Sequence, residues 1–377
     1  MKRLIIFLIV ISLFVVKIAA ADTNEEIFSQ ISNDFNALKE ALPQEVLDFF
    51  PKEIWMGDFS SLLGENLSES SFINVTIDYL FLGLGSVIKT FCSILIVVLL
   101  SGIFNMLKNS ISSNNLEHSF SLASSLCISI TIFTVCTKLT QGITRYMKVL
   151  CTIMKAFIPI MGTMYLISGN ISSGAVSYAS MILFITIVEQ LLISFISPIV
   201  SISLCFSILK SFGSELDFSD LGKIFKNAFT GITVFIMSIF MFVLSNKNIL
   251  AQSVDSLSIK TAKFAISSFI PIVGPSINDA LRTLVSSISY IKNACGVIAI
   301  IIIILLVLPA VLSLLLTKLS FNILASISKG INCKNESAVI EEGSNICGFL
   351  IALISCTCIL FIFAITLFIK ATVINGV

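Results

Sequence analysis

The stretch "ACGVIAIIIIILLVLPAVLSLLLT", residues 294 to 317, contains no charged side chain and is long enough to cross a lipid bilayer as a helix, which takes about 20 apolar residues. Overall the chain is 56% hydrophobic and 12% charged, whereas soluble domains carry about 25% charged residues. The sequence therefore predicts an all-α, polytopic helical membrane protein. Five more apolar windows lie at about residues 90 to 107, 120 to 137, 175 to 197, 228 to 245 and 345 to 369.

The first 21 residues have the pattern of a secretory signal peptide. Lys2 and Arg3 precede the apolar run "LIIFLIVISLFVV", and three alanines at 19 to 21 form a small-residue cleavage site. An uncleaved membrane anchor is the alternative. In both cases the chain that follows is expected to begin on the far side of the membrane.

An acidic segment follows, from residue 22 to residue 76. Residues 22 to 71 hold eleven acidic side chains against two lysines, and this scarcity of basic residues agrees with an extracytoplasmic location. Its apolar residues recur at spacings of three and four, which predicts a helix with one apolar face. That face is expected to rest on the membrane body or on a partner. Its members are Ile27, Ile31, Phe35, Leu38 and Leu42.

Two nearly identical words, "FIPIMG" at 157 to 162 and "FIPIVG" at 269 to 274, lie in less apolar windows. Proline removes a backbone donor and obstructs the preceding turn, whereas glycine tolerates a reversal. Each word is therefore expected to form a broken or re-entrant helix, which at membrane depth needs protein or water around it. The predicted residues of a polar path at these breaks are Pro159, Gly162, Pro271, Gly274, Asn278 and Asp279.

The two words also open similar stretches of sequence. Pro159 is followed by Pro198, and Pro271 by Pro309, at spacings of 39 and 38 residues. Each stretch then runs through a polar, acidic segment into a last apolar helix. This order indicates an internal duplication, with chance likeness between words rich in Ile and Phe as the alternative.

The duplication determines the predicted domain plan. The polar segments "GSELDFSDLGKIFKN" and "KGINCKNESAVIEEG" are interpreted as loops, and so is the region of Lys138, Arg145 and Lys148. Transporters are commonly built from such repeats, with the polar path at their interface; parallel and inverted arrangements both stay open. The plan is a signal peptide at 1–21, the acidic segment at 22–76, first transmembrane helices at 77–147, repeat unit A at 148–246 and repeat unit B at 247–377.

One carboxylate lies inside a confidently apolar window, Glu189 in "ITIVEQLLIS". Ionisable residues within membrane spans are usually functional. Glu189 could bind a cation, relay a proton or pair with a lysine of another helix. A hydrogen bond that serves only packing is the alternative to a functional role.

Signals for an enzyme are weak in this sequence. His118 is the single histidine, which excludes the H-E-x-x-H zinc motif, and no G-x-S-x-G motif, P-loop or Rossmann fingerprint occurs. The ten cysteines lie beyond residue 90, mostly in apolar runs, where cysteine usually packs as a small hydrophobe. We expect no enzymatic activity, no cofactor, no metal and no nucleic-acid partner.

Several of these stretches together resemble the stage III sporulation protein AE family of endospore-forming Firmicutes. The similarity rests on "ALPQEVLDFFPKE", "KFAISSFIPIVGPSINDAL" and "IKNACGVIAIIIIILLVLPAVLSLLL" and covers the mature chain. It implies a permease-like multipass protein in the mother-cell membrane around the forespore, within a channel or secretion-like complex. The implied partners are the other stage III A proteins, a forespore-side channel partner and membrane lipids. A self-contained secondary transporter for a small solute is the alternative.

Overall fold

The protein is described here by a computed structural model, which is helical in all its described segments apart from a short turn at 331–333. The predicted all-α class is thereby confirmed. The predicted signal peptide and nearly all of the acidic segment lie outside the described residues. Those residues are 84–85, 87–103, 114–167, 171–211, 219–269 and 274–370, with single positions at 36 and 40.

Six helices make up the long described segments, and each predicted apolar window falls on one of them. Helices α2 to α6 are long and apolar enough to cross a membrane, whereas α1 is shorter. The chain is therefore a multipass helical membrane protein, as predicted. The helices are α1 Val87–Ile103, α2 Asn114–Ile167, α3 Ile171–Ser211, α4 Ser219–Phe269, α5 Gly274–Gly330 and α6 Lys334–Lys370.

Helix α6 packs against α2, α3, α4 and α5, and successive helices alternate in direction. Helices α2, α4 and α6 therefore run one way, and α3 and α5 run the other way. Parallel pairs are shown by the contacts Ser124 with Glu336 and Tyr165 with Phe368 for α2 and α6, and Phe229 with Phe349 and Met237 with Cys356 for α4 and α6. Antiparallel pairs are shown by the contacts Phe195 with Phe229 and Phe184 with Phe240 for α3 and α4, and Asn322 with Ser344 and Lys292 with Phe368 for α5 and α6.

Large apolar side chains are exposed on the outer surface of several helices. On α4, Phe235 is 66% exposed and Phe242 is 70% exposed, and on α6 Ile359 is 62% exposed. Large aromatic and aliphatic side chains at this exposure would form an unusual surface for a water-soluble monomer. They are the surface expected of helices that face lipid.

The predicted helix break at the first I-P-I-x-G word is wrong. Helix α2 continues through Pro159 and past Gly162 to Ile167. A proline inside a helix costs about 3 kcal/mol, but its neighbours Phe157 and Ile158 are buried in the core, and this packing holds the helix together. The second word cannot be compared, because Pro271 lies outside the described residues.

Two predicted loops are also helical. Lys138, Arg145 and Lys148 lie on the exposed face of α2, which has no loop between its two apolar windows. The segment 329–343 contains only a three-residue turn, in which Asn332 takes a positive φ of 61°, before α6 begins at Lys334. Sequence polarity was misleading there, because Glu336, Ser337 and Glu342 are buried, although Lys329 and Lys334 stay exposed.

The predicted duplication is compatible with the order of the helices. Pro198 lies inside α3 and Pro309 inside α5, so each long proline-containing helix is followed by another long helix. The boundaries predicted after residues 147 and 246 fall within α2 and α4, so repeat units would share helices. The duplication itself stays a prediction.

Candidate functional site

A buried ion pair joins three helices near the start of α6. Glu342 of α6 accepts hydrogen bonds from Lys226 of α4 and from Ser203 of α3. Lys226 and Glu342 have only 6% and 8% of their side chains exposed. The second carboxylate oxygen, Oε2, accepts a hydrogen bond of 3.3 Å from Asn345. The charges are thus paired inside the protein, as buried charges must be.

A close helix contact brings Ser203 within reach of this pair. Gly222 of α4 packs directly on Ser203 of α3, and a Cβ atom added at Gly222 would lie 2.8 Å from the Ser203 hydroxyl oxygen and 3.2 Å from its Cα. No side chain larger than hydrogen fits at this distance without movement of the helices. Glycine at this position therefore sets the spacing between α3 and α4 beside Lys226.

Two cavities flank the ion pair, with volumes of about 380 Å³ and about 350 Å³. Both lie within the range of small-molecule sites, and Lys223 and Asn345 border both of them. The first cavity is lined by Lys223, Lys226, Asn227, Thr230, Asn345, Gly348, Phe349 and Ala352, and the second by Ser207, Lys223, Asn322, Ala338, Glu341, Glu342 and Asn345.

A second buried carboxylate lies six residues before the first on the same helix. Glu336, in the first turn of α6, accepts hydrogen bonds of 2.7 Å from Ser101 of α1 and from Ser124 of α2. The thiol of Cys333 lies 3.5 Å from the Ser101 hydroxyl. The two carboxylates of α6 thus bind all of the helices α1 to α4. We call this region the polar end: Ser101, Ser124, Ser203, Lys226, Glu336, Glu342 and Asn345.

The ion pair of the polar end presents one positive and one negative side chain that could bind a charged solute. Among the described residues, no group of three or more His, Cys, Asp or Glu side chains is placed to hold a metal ion. An ion pair between two polar cavities offers a cation and an anion to a passing solute. The polar end is therefore a candidate binding or gating site.

Glu189 lies away from the polar end, in the middle of α3. Its carboxylate pairs with Lys155 of α2, so one of the three roles considered for it, pairing with a lysine of another helix, is what the structure shows. Both side chains are partly exposed, at 43% for Lys155 and 27% for Glu189. The pair joins α2 and α3 at their outer surface.

Those of the remaining predicted path residues that the structure describes are not brought to the polar end. Pro159 and Gly162 lie near the opposite end of α2, where Gly162 faces Tyr178 of α3. Gly274 begins α5, and Asn278 and Asp279 lie in its first turns, where their side chains are outside the described residues. Pro271 is outside them altogether.

A model of the family described as Stage III sporulation protein AE matches residues 59–372 of this chain. The chain belongs to the stage III sporulation protein AE family. A protein named Stage III sporulation protein AE, from Bacillus subtilis (strain 168), is 27% identical over 162 residues, a match that spans 43% of this chain and 40% of the relative. No solved structure matches the chain.

The residues of the polar end were not predicted from the sequence, because the polar segments were interpreted as loops between apolar helices. In this member of the family, the buried positions Glu336, Val339, Glu342 and Ile346 recur at spacings of three and four residues. That spacing continues the inner face of α6 upstream of its apolar window. The helical periodicity of "NESAVIEEGSNI" was the signal that could have identified Glu336 and Glu342 as core positions.

Proposed function

We propose that this chain is a membrane component of the channel or secretion-like complex between mother cell and forespore, located in the mother-cell membrane. In this proposal the polar end gates the passage of solutes through the protein. Membership in a stage III sporulation family and five apolar helices of spanning length support this role. The partners proposed are other stage III A proteins and a forespore-side channel partner. The chain acts in this proposal without catalytic chemistry.

The observation that carries the proposal is the Lys226–Glu342 pair between the two cavities. Replacing a buried ion pair by uncharged side chains of similar volume is often neutral or stabilising. A pair kept only for stability would therefore be dispensable, whereas a gate needs the charges themselves. The difference between these two roles is measurable.

The test uses the double variant Lys226→Met with Glu342→Gln in sporulating cells. We expect normal abundance in the membrane fraction together with a loss of spore yield of at least tenfold. The matched control is Lys329→Met, which removes the cation of an ion pair exposed at 55% and 46%, lies outside both cavities and should sporulate normally. Normal sporulation by the Lys226 and Glu342 variant would contradict a gating role.

A self-contained secondary transporter is the second candidate, and the cavity volumes favour it, since about 380 Å³ and about 350 Å³ suit a small solute. Purification from sporulating cells separates the two candidates. A stoichiometric complex with other stage III A proteins supports the channel component. A free protein that catalyses ion-coupled uptake in vesicles supports the transporter.

A further inference from the structure

Six polar side chains form a straight row on the outer face of α2. They follow one another at alternating spacings of three and four residues, and all six are exposed. The opposite face of the same stretch is buried, with Met147, Leu150 and Met154 each at 1% exposure or less. We call this set the basic row: Lys138, Gln141, Arg145, Lys148, Thr152 and Lys155.

The basic row lies at the depth of the apolar spans. Helix α6 runs beside α2 in the same direction, and two contacts enclose the row. Ile132 lies 3.3 Å from where a Cβ of Gly343 would be, and the ring of Tyr165 contacts that of Phe368. Between these contacts α6 carries no charged residue from 344 to 369.

The neighbouring helices α4 and α5 are also uncharged at the depth of the basic row. Met237 of α4 contacts Cys356 in the middle of this stretch of α6, and α4 has no charged residue from 227 to 246. Helix α5 has none from 293 to 317. Only Glu189 of α3 brings a carboxylate to this depth among the described residues, and it pairs with Lys155.

Three cations of the row lack such a carboxylate. Among the described residues, no acidic side chain lies within ion-pair distance of Lys138, Arg145 or Lys148. The row spans about 26 Å at a rise of 1.5 Å per residue, close to the thickness of the hydrocarbon layer, about 30 Å. Arg145 and Lys148 lie in its middle, where a lysine or arginine facing lipid costs at least about 2.5 kcal/mol. Lipid is therefore a poor neighbour for this face.

We infer that the basic row lines a water-filled path for anionic solutes, which second copies of this chain close against the lipid. Rings of Lys and Arg are the usual lining of anion pores. The amide of Gln141 continues the row between the cations and suits water better than lipid, whereas the hydroxyl of Thr152 donates a hydrogen bond of 3.0 Å to the backbone carbonyl of Lys148. This inference rests on the proposed function and adds the solute class and the lining.

The spacing of the row suits a facing helix from a second copy of this chain. Alternating steps of three and four residues give a period of 3.5, which keeps a row on the seam between helices packed side by side around a common axis. A copy presents its own row at the same depth. The rows of two copies carry like charges and repel each other, so water and anions must lie between them. An acidic partner helix could pack directly on the row and would leave no such path.

The test places single cysteines in the full chain, in membranes of sporulating cells. Gln141→Cys and Thr152→Cys lie in the row, and Ile359→Cys is the control, since Ile359 is 62% exposed on α6 at the same depth. Two membrane-impermeant thiosulfonates are compared, one with a sulfonate and one with an ammonium group. Peptide mass spectrometry identifies the modified residue, so the native cysteines can stay.

We expect both row positions to react, with the anionic reagent at least tenfold faster than the cationic one, and the control to stay unmodified. Adding Arg145→Gln and Lys148→Gln should bring the ratio of the two rates close to one. A bifunctional thiosulfonate with a spacer long enough to cross a water-filled gap should link Thr152→Cys chains into dimers of this protein, because a direct disulfide would need the two residues in contact. If one row variant does not accumulate, the other carries the test.

Three outcomes would overturn the inference. Unreactive row positions would mean that the face lies against lipid or another protein, and equal rates for both reagents would exclude an anion path. Cross-linking of Thr152→Cys to a different protein would exclude the second copy. If any of these occurs while the Lys226 and Glu342 double variant still loses sporulation, the further inference fails and the proposed function stands.

Discussion

Helices α2 and α6 run side by side in the same direction, yet they distribute their charges in opposite ways. Helix α6 places Glu336 and Glu342 inside the protein at its start and then continues without charge to Ile369. Helix α2 has no charge from 123 to 137 and then carries its cations on the outer face. Among the described residues, the inward carboxylates of α6 have partners, whereas three outward cations of α2 have no carboxylate, which indicates a neighbour other than lipid.

The largest effect is expected at the buried ion pair, where both charged residues belong to this chain. Glu342→Ala leaves Lys226 buried without its carboxylate, and breaking a buried pair from one side costs about 3 to 5 kcal/mol. Unfolding in mixed detergent micelles should show this loss in the free energy of unfolding. Glu341→Ala, which removes an exposed carboxylate 46% accessible, should cost less than about 1 kcal/mol. Equal losses for the two variants would show that Glu342 is solvated.

The next effect tests the outer face of α6 as a lipid surface. Ile359→Lys places a cation at the depth of the basic row on a helix that we expect to face lipid. We expect a cost in membrane insertion of about 2.5 to 3.5 kcal/mol, measured as the inserted fraction of newly made protein. Lys148→Leu in the row should insert at least as well as the unmodified chain. Insertion of Ile359→Lys without loss would mean that α6 also faces water or a partner.

A smaller effect is expected from the helix contact beside Lys226. Gly222→Ala would push its new Cβ to 2.8 Å from the Ser203 hydroxyl oxygen, and such overpacking typically costs about 1 to 3 kcal/mol. Gly231, on the same helix, has nothing within 4 Å of an added Cβ. Gly231→Ala should therefore be neutral or stabilising by up to about 1 kcal/mol, since alanine is the better helix former. Thermal unfolding in detergent would show whether the two differ in sign.

These contrasts also show how much of the fold and of the polar end could be predicted from the sequence. Long apolar runs identified every helix of spanning length among the described residues, because about 20 apolar residues in a row have few other stable environments. The polar end could not be derived in the same way, since Ser101 lies 235 positions from its partner Glu336. Which hydroxyl meets which carboxylate depends on helix packing that local composition does not encode. The break expected at Pro159 failed for the same reason, because core contacts outweighed a local preference.

The smallest effect concerns the Lys155–Glu189 ion pair between α2 and α3. Glu189→Gln removes the carboxylate that neutralises Lys155, but both side chains are partly exposed, and pairs of this kind contribute about 0 to 1 kcal/mol. We therefore expect almost unchanged unfolding in detergent, where water reaches both groups.

The same substitution should act on the basic row through charge, because it leaves a fourth cation without a carboxylate. In the Thr152→Cys chain, Glu189→Gln should raise the preference for the anionic thiosulfonate a few-fold. Glu189→Asp keeps the charge and serves as the control, with the ratio of rates unchanged. A loss of several kcal/mol in unfolding, with no change in that ratio, would instead make the Lys155–Glu189 pair a packing element, and the row would then face something other than water.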